Sequence, residues 1–500
     1  MNMDSNVHHM KRSSGVLLHV SSLPSLYGIG NFGETARRWI DFLKDAGQSY
    51  WQILPLGPTG KGDSPYQSFS AFAGNPYFID FNTLFEDGLL TREEFNGFRW
   101  VRSDNMVDYG LVYKNREAVL RKAFSRFSDD AALDDFLERN SWFEDYGLFL
   151  LSKYDQKLKP WMEWDEPLRA RRPQALDSIK KRYSEYFRYH VFVQYQFERQ
   201  WNALRAYANS NGVEIIGDIP IYVSLDSADV WSSPGLFQLG EDGYPLEISG
   251  CPPDSFSDEG QIWGNPLYDW EVMEKKNFQW WIQRLQGSFE LFDMLRFDHF
   301  RGLESYFAIP YGAKTAMDGK WNHGPGKRFI DVINNSFPDA RIIAEDLGFL
   351  TKEVYDLLKY SGYPGMKLLQ YAFDTREAGD YIPHRYSSNS VVYTGTHDND
   401  TLKGWGAQAP RECVCNAMSY IGIRRKKDLT EGMLRLALQS RSNIAIIPMQ
   451  DWLNLGSEAR MNTPATVGGN NWKWRMKKSD INRRLAEYMA KMTAIYGRTG

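Results

Sequence analysis

Acidic side chains end several short apolar runs of this 500-residue chain. These run ends carry the acids and histidines Asp218, Asp298, His299, Glu345, Asp346, His397, Asp398 and Asp451. A solvated acid at the end of a strand explains any one of them. Clustered carboxylates, however, repel one another and are costly to desolvate, so folding alone has little use for the whole set. The set therefore indicates a functional site.

Two carboxyl groups in different protonation states are what the cleavage of a glycosidic bond requires. Asp298 suits the ionised role, because the neighbouring Arg296 and His299 can lower the pKa of a carboxyl group. Arg296 shares a strand face with Asp298, whereas His299 does so only if the strand ends there. Glu345 suits the protonated role, since burial at the end of RIIA raises the pKa of an acid. Asp398 is then available to hold substrate hydroxyls.

A bare metal site is the chemical alternative. Its plausible ligands are Asp298, His299, Glu345, His397 and Asp398. The arginine beside Asp298 and the abundance of aromatic residues, with 17 Trp, 28 Tyr and 29 Phe, favour a sugar site over a metal site. Burial in a large core nevertheless explains most single aromatic residues.

Eight apolar, β-branched runs must position these residues. The runs span 15–20, 50–56, 213–220, 292–298, 341–346, 366–373, 391–398 and 443–451. Most are followed by helical patterning, as in the face formed by Ala36, Trp39, Ile40, Leu43 and Ala46, although 374–390 shows no clear helix. This alternation predicts an α/β fold, a (β/α)8 barrel of the TIM type, with a doubly wound sheet as the rival.

The spacing of the runs is uneven. We expect one catalytic barrel domain over 1–500, with a helical insertion at about 85–185 and a loop insertion at about 225–275 near the active site. In a barrel of this type the carboxyl ends of all strands meet at one rim, where active sites are built. The acids at the run ends are therefore expected to converge.

Composition excludes several classes of function. The net charge of −4 offers no positive field for nucleic acid. The three cysteines, Cys251, Cys413 and Cys415, have no zinc-ligand spacing and fit a reducing, cytoplasmic compartment. The N-terminal segment has no apolar core of a signal peptide, and no later stretch is long and apolar enough for a membrane span. We expect a cytoplasmic protein, or a plastid one if a transit peptide was removed.

Two glycine-rich segments resemble nucleotide-binding motifs but fail in context. GIGNFG at 28–33 is separated from the preceding strand by seven residues, and no acid follows the next strand for a ribose hydroxyl. GPTGKGDS at 57–64 would need a glycine at position 55 and Ser or Thr at position 62, where Pro55 and Gly62 stand. Neither a dinucleotide-binding nor a phosphate-loop interpretation holds.

The sequence resembles glycoside hydrolase family 77, the 4-α-glucanotransferases, also called amylomaltases or disproportionating enzymes. The resemblance rests on SYWQILPLGPTGKGDSPYQSFSAFAGNPYFID, GDIPIYV, GQIWGNP, LRFDHFRG, AEDLG, THDND and RMNTP, within segments spread from about residue 12 to residue 476. It implies a retaining transfer of α-1,4-glucan segments without metal or organic cofactor. Asp298 is implied as the nucleophile, Glu345 as the acid and base, and Asp398 as the stabiliser of the transition state. The implied substrate contacts are Ser64, Tyr66, Asp218, Trp263, Arg296, His299, His397 and Asn462.

Two positions depart from the family pattern. Ser255 stands where many members have a Tyr over the acceptor subsites, and Lys61 stands where some have a Tyr at a second glucan site. These changes concern donor length, the formation of cyclic glucans and the balance between transfer and hydrolysis, but not catalysis. The residues leave open an α-amylase-like hydrolase and a non-catalytic glucan-binding protein, and they do not determine the oligomeric state.

Overall fold

A closed barrel of eight parallel strands organises the part of the chain that this computed structural model describes, residues 10–253, 257–374 and 381–499. The strands are β1 (Ser13–Leu17), β2 (Tyr50–Gln52), β3 (Glu214–Ile219), β4 (Glu247–Cys251), β5 (Gln261–Pro266), β6 (Met294–Phe297), β7 (Ser305–Pro310), β8 (Lys320–His323), β9 (Ile342–Ala344), β10 (Gly365–Leu368), β11 (Ser390–Tyr393) and β12 (Ile444–Pro448). Around the barrel the order is β1, β2, β3, β6, β9, β10, β11, β12 and back to β1. Each of the eight apolar runs overlaps one barrel strand, and β1, β10 and β11 begin one or two residues before their runs. This confirms the barrel and excludes the doubly wound sheet.

Helices connect most barrel strands. The early ones are α1 (Glu34–Asp45), α2 (Phe81–Glu86), α3 (Glu93–Asn96), α4 (Tyr109–Phe124), α5 (Asp130–Arg139), α6 (Trp142–Asp155), α7 (Glu166–Arg169), α8 (Pro173–Arg182) and α9 (Ser184–Ser210). The later ones are α10 (Ala228–Ser232), α11 (Trp270–Lys275), α12 (Gln279–Leu291), α13 (Gly326–Ser336), α14 (Lys352–Ser361), α15 (Leu402–Gln408), α16 (Arg411–Ile421), α17 (Leu429–Gln439), α18 (Met449–Trp452) and α19 (Arg483–Ile495). Helix α1 buries Trp39, Ile40 and Leu43 as its periodicity predicts, and Gly47 at φ 66° follows its end.

Side chains alternate strictly between the two faces of the barrel wall. Ile215, Leu295 and Ile342 face the surrounding helices and belong to the large outer core. Their neighbours Ile216, Met294 and Ile343 point inward and pack in the barrel interior. Because the period is two, the next inward positions toward the rim are Asp218, Arg296 and Glu345. The barrel is therefore apolar at its base and charged at its carboxyl-end rim.

A second sheet lies within the insertions and has the order β5, β4, β7, β8, with antiparallel pairing throughout. Strands β4 and β5 fall in the range 225–275, for which a loop was expected. Strands β7 and β8 follow β6 and were missed, because short antiparallel strands between two longer patterns give little periodicity. Helices α3–α8 occupy most of the range expected to be helical. In the described part of the chain, no helix is long and apolar enough to cross a membrane.

The barrel interior tolerates no side chain at Gly15. A Cβ placed there would lie 2.5 Å from Tyr50 Cβ and 2.8 Å from Ile446 Cδ1. We predict that Gly15→Ala lowers the free energy of unfolding by about 1–3 kcal/mol through overpacking, measured by urea unfolding. Gly235→Ala is the matched control, because an added Cβ there would meet no described atom within 4 Å. An equal effect of both substitutions would contradict this reading of the barrel interior.

Candidate active site

A buried guanidinium lies at the centre of the rim. Arg296 Nη1 donates to Asp218 Oδ1 at 2.9 Å, to Asp218 Oδ2 at 2.7 Å and to Asp298 Oδ1 at 2.8 Å. The pairing follows from strand register, since Asp218 on β3 lies opposite Arg296 on β6, and Asp298 shares the face of Arg296 two residues later. Burial alone lowers the pKa of a guanidinium, but the charges of Asp218 and Asp298 outweigh burial and raise the pKa of Arg296. Arg296 therefore stays charged and holds Asp298 by one oxygen.

Glu345 stands beside Asp298 because β6 and β9 continue in register past their ends. Phe297 pairs with Ala344, Glu345 N donates to Phe297 O at 3.0 Å, and Phe300 N donates to Glu345 O at 3.0 Å. The carboxylate of Glu345 accepts the backbone N–H of His299 at 2.6 Å and that of Leu347 at 3.1 Å. Burial raises the pKa of Glu345 well above its ordinary value, although Arg296 acts in the opposite direction. The environment thus favours a protonated carboxyl group next to an arginine-bound one.

His299 ends the strand in a left-handed conformation, φ 50° and ψ 48°. This is uncommon for a residue other than glycine and is concentrated at functional sites. Burial, followed by Arg301 and Arg296, lowers the pKa of His299 to about 3, so the ring is neutral. Its Nε2 is buried without a hydrogen-bond partner among the described residues. Such an atom needs a partner, and a substrate hydroxyl is a suitable one.

Asp398 comes from a loop beyond β11 and is held by a second loop. Asn462 Nδ2 donates to Asp398 Oδ1 at 2.7 Å, and Asn462 N donates to His397 O at 3.0 Å. Arg460 fastens both loops, since its Nη2 donates to Asp398 O at 2.6 Å and its Nε to Asn462 O at 2.8 Å. The side chain of Asp398 remains 37% exposed. It is thus rigidly held and open to solvent.

An aromatic wall flanks the acids. The ring of Tyr66 stacks on that of His397 at 5.2 Å, and Trp472 lies 5.9 Å from both rings. Tyr66 OH donates to Asp218 Oδ2 at 2.9 Å. Burial, followed by the charge of Asp218, raises the pKa of Tyr66, so its hydroxyl stays protonated as this donor. Ser64 Oγ accepts Tyr66 N at 3.2 Å and shapes the turn that places the ring.

The second sheet reaches the site through Trp263 on β5. The indole packs edge to face against the ring of His299 with ring centroids 4.8 Å apart, and its Nε1 donates to Gln261 Oε1 at 3.2 Å. The half-buried indole therefore borders the segment that carries Asp298. The eleven residues that the family resemblance implies as catalytic or substrate-binding lie at this rim or next to it, with Ser64 in a loop and Trp263 on β5.

Two acids at the run ends have structural roles instead. Asp346 accepts Met366 N at 2.5 Å, and Asp451 accepts Thr394 Oγ1 at 2.6 Å and Leu402 N at 2.7 Å. Both are almost fully buried and tie neighbouring strands and loops together. These two acids are therefore structural, but they are not the solvated strand-end acids considered above, because both are buried. Within the described residues, no group of three or more His, Cys, Asp or Glu side chains is arranged to hold a metal ion.

Sequence reasoning gave no role to Trp472 or Arg460, although both lie in or next to quoted segments. They come from a loop that has no periodicity, so only the folded chain places them against His397 and Asp398.

The structure describes one of the two positions that depart from the family pattern. Ser255 lies outside the described residues. Lys61 begins a single helical turn, Lys61–Asp63, in the loop that carries Ser64 and Tyr66.

Comparison with known proteins gives a consistent result. A family model described as 4-alpha-glucanotransferase matches residues 18–481. The chain is 46% identical over 489 residues to a 4-alpha-glucanotransferase of Clostridium butyricum, with 96% of this chain and 100% of the relative covered. It is 44% identical over 491 residues to a 4-alpha-glucanotransferase of Aquifex aeolicus, with 97% and 99% covered.

A solved structure agrees along the whole chain. The amylomaltase from Streptococcus agalactiae in complex with acarbose superposes with a TM-score of 0.95 at 41% identity, covering 98% of this chain and 100% of that one. The amylomaltase from Corynebacterium glutamicum has a TM-score of 0.78 at 18% identity, with 99% and 76% covered. That second likeness concerns the fold alone.

The ion pair of Arg296 and Asp218 is testable through stability. The two side chains are 4% and 0% exposed, so Arg296→Gln leaves a buried carboxyl group without its cation and costs about 3–5 kcal/mol at pH 8. Burial raises the pKa of Asp218 to about 7 although Arg296 acts in the opposite direction, so loss of the cation raises the folded-state pKa further. An acid with a raised folded pKa loses stability as pH rises, so the cost should be smaller at pH 5 than at pH 8.

Urea unfolding at both pH values measures this difference, and adding Asp218→Asn should recover part of the loss at pH 8. A loss that is independent of pH, together with no recovery in the double variant, would show that the pair does not carry the effect.

Proposed function

The chain belongs to the 4-alpha-glucanotransferase family, glycoside hydrolase family 77, and we propose that its rim acids carry out the transfer through a covalent glycosyl-enzyme on Asp298. An enzyme of this family moves α-1,4-glucan segments from a donor to an acceptor. The single observation that carries the proposal is that one buried arginine binds Asp298 while burial raises the pKa of the adjacent Glu345. This arrangement supports a protonated Glu345 beside an arginine-bound Asp298, the pair of roles that a retaining mechanism needs.

In the first half of the reaction, Asp298 attacks C1 of the donor sugar. Arg296 holds Oδ1, so Oδ2 is the attacking atom. A bond forms between Asp298 Oδ2 and C1, the bond from C1 to the glycosidic oxygen breaks, and Glu345 gives its proton to that oxygen. Asp398, held by Asn462, binds ring hydroxyls and strengthens these bonds as positive charge develops at C1.

In the second half, the 4-hydroxyl of an acceptor sugar reaches C1. Glu345 takes the hydroxyl proton, the new glycosidic bond forms and the bond to Asp298 breaks, so the anomeric configuration is retained. Two groups of residues are proposed as substrate contacts. Tyr66, His397 and Asn462 bind on the side of Asp398, whereas Trp263 and His299 bind near the segment of the nucleophile. Asp218 and Arg296 form the base of the site, and Ser64 lies in the loop that shapes it.

In this proposal the substrates are maltooligosaccharides and starch-type chains, and the reaction uses no cofactor. A single catalytic domain, a cytoplasmic location and the absence of nucleic-acid partners stay predictions based on patterning, cysteine usage and charge. A relative from Solanum tuberosum is named as chloroplastic/amyloplastic, at 41% identity over 503 residues, so a plastid setting occurs among similar proteins.

Incubation with maltotriose tests the reaction. We expect glucose and a ladder of longer maltooligosaccharides with a constant number of reducing ends, because transfer conserves glycosidic bonds.

Two variants test the roles of the acids. Glu345→Gln should lower the rate by about 10²–10⁴-fold. Asp298→Asn should abolish accumulation of the glycosyl-enzyme, which intact-protein mass spectrometry detects. Asp356→Asn, the same change on the exposed surface of α14, is the control. A stoichiometric gain of reducing ends would indicate an α-amylase-like hydrolase, and full activity of Asp298→Asn would refute the mechanism.

Chelation distinguishes the metal alternative. Carboxyl groups alone supply the acid, the base and the nucleophile in the proposed mechanism, so dialysis against EDTA should leave the rate of maltotriose disproportionation unchanged. Loss of turnover that added zinc restores would favour a metal site instead.

A further inference from the structure

Two large apolar side chains are exposed beside the catalytic segments. Phe349 is 71% exposed and follows Glu345 by four residues, and Trp321 on β8 is 37% exposed. Scattered exposed apolar residues are ordinary on proteins. These two differ because one buried side chain connects both of them to the loop of the nucleophile.

Arg301 makes that connection. It follows Asp298 by three residues, is 3% exposed, and its Nη1 donates to the backbone oxygen of Phe349. Its Cζ lies 3.7 Å from the ring centroid of Trp321, and its Nη2 donates to Ser305 Oγ at 3.0 Å. One guanidinium group therefore contacts both the ring of Trp321 and the backbone of Phe349. The segment that carries Asp298 thus fixes their positions.

Two neighbouring side chains hold the indole of Trp321 in place. Arg301 stacks on its ring, and Phe307, its register partner on β7, packs against it at 5.1 Å with an angle of 63° between the rings. A cation stacked on an aromatic ring holds it with about 0.5–2 kcal/mol. More than a third of the residue still reaches solvent, which leaves surface for the C–H groups of a sugar ring.

The position relative to Glu345 determines which half of the substrate would bind. Glu345 exchanges a proton with the oxygen that joins the transferred sugar to its leaving group. The segment 345–349 therefore borders the leaving-group side of the bond, and by microscopic reversibility the incoming acceptor occupies the same side. Asp398, Asn462 and the wall of Tyr66, His397 and Trp472 form a separate group of contacts, in which no described contact involves Arg301, Trp321 or Phe349.

We propose that Trp321 and Phe349, positioned by Arg301, form an acceptor subsite for glucose units beyond the one whose 4-hydroxyl is glycosylated. This inference rests on the proposed function of the rim. The occupant is an α-1,4-glucan acceptor of two or more units, since a single glucose fills only the position next to C1. Stacking there holds an acceptor in place while water competes for the glycosyl-enzyme, and so favours transfer over hydrolysis.

Acceptor length provides the test. The acceptor maltotriose is labelled at its reducing end, so that only transfer onto it gives a labelled longer product. With a fixed donor concentration, Trp321→Ala and Phe349→Ala should each raise its KM as acceptor by about three- to tenfold, as expected for one lost aromatic contact. The KM for glucose should not change. Trp321→Phe should restore most of the maltotriose affinity. Tyr488→Ala on α19, 36% exposed, is the matched control.

Several outcomes would overturn the subsite. The first is an equal rise in the KM for glucose and for maltotriose, and the second is an unchanged KM for both. The third is a wild-type dimer that dissociates in the two alanine variants, measured by sedimentation, because the two side chains would then form a dimer contact. Phe349→Ala removes an exposed side chain, so it tests the subsite even if Trp321→Ala is destabilised. Failure of the proposed mechanism is recognised separately, because it requires activity in Asp298→Asn and does not depend on acceptor length.

Discussion

The pairing of Arg296 with Asp218 and Asp298 is the interaction on which the rest of the site depends. A guanidinium buried at the rim is costly to desolvate unless carboxylates surround it, and a carboxyl group at that depth is costly unless a cation is near. The two requirements are met together by strand register, which places Asp218 opposite Arg296 and Asp298 two residues further along. One cation among Asp218, Asp298 and Glu345 cannot compensate three negative charges. Burial raises the pKa of both Asp218 and Glu345. Asp218 is bound by Arg296 and Tyr66, whereas Glu345 accepts only backbone N–H groups among the described residues, so Glu345 is the acid best placed to keep its proton.

The three acids of the site are positioned in two ways, two of them by barrel strands and one by a loop. Asp298 and Glu345 follow directly from β6 and β9, so the barrel itself positions the two groups that we propose to form and break bonds. Asp398 lies on a loop, and its precision comes from Asn462 and Arg460, which bind its carboxylate and its backbone oxygen. A loop acid needs such support, because catalysis is sensitive to small displacements of the reacting groups.

The insertions add what the barrel lacks, an extended surface for sugar rings. Trp263 reaches His299 from β5, and Trp321 stacks on Arg301 from β8, so the second sheet meets the segment of the nucleophile at two points. A glycosyl-enzyme is open to water and to sugar alike. The acids serve both reactions, so in our proposal the choice between hydrolysis and transfer depends on the acceptor surface beside Glu345.

The sequence by itself predicted the barrel, because eight apolar runs alternate with helical patterns along the chain. It also predicted that Asp218, Asp298 and Glu345 meet at one rim and that Arg296 shares a strand face with Asp298. It could not separate Asp346 and Asp451, which accept structural hydrogen bonds, from the acids that face the cleft, since both kinds end an apolar run. Only the tertiary structure decided that β4, β5, β7 and β8 form a sheet, and that Trp472, Arg460 and Arg301 serve the site. These residues act through contacts between segments far apart in the chain, and no local period or spacing encodes such contacts.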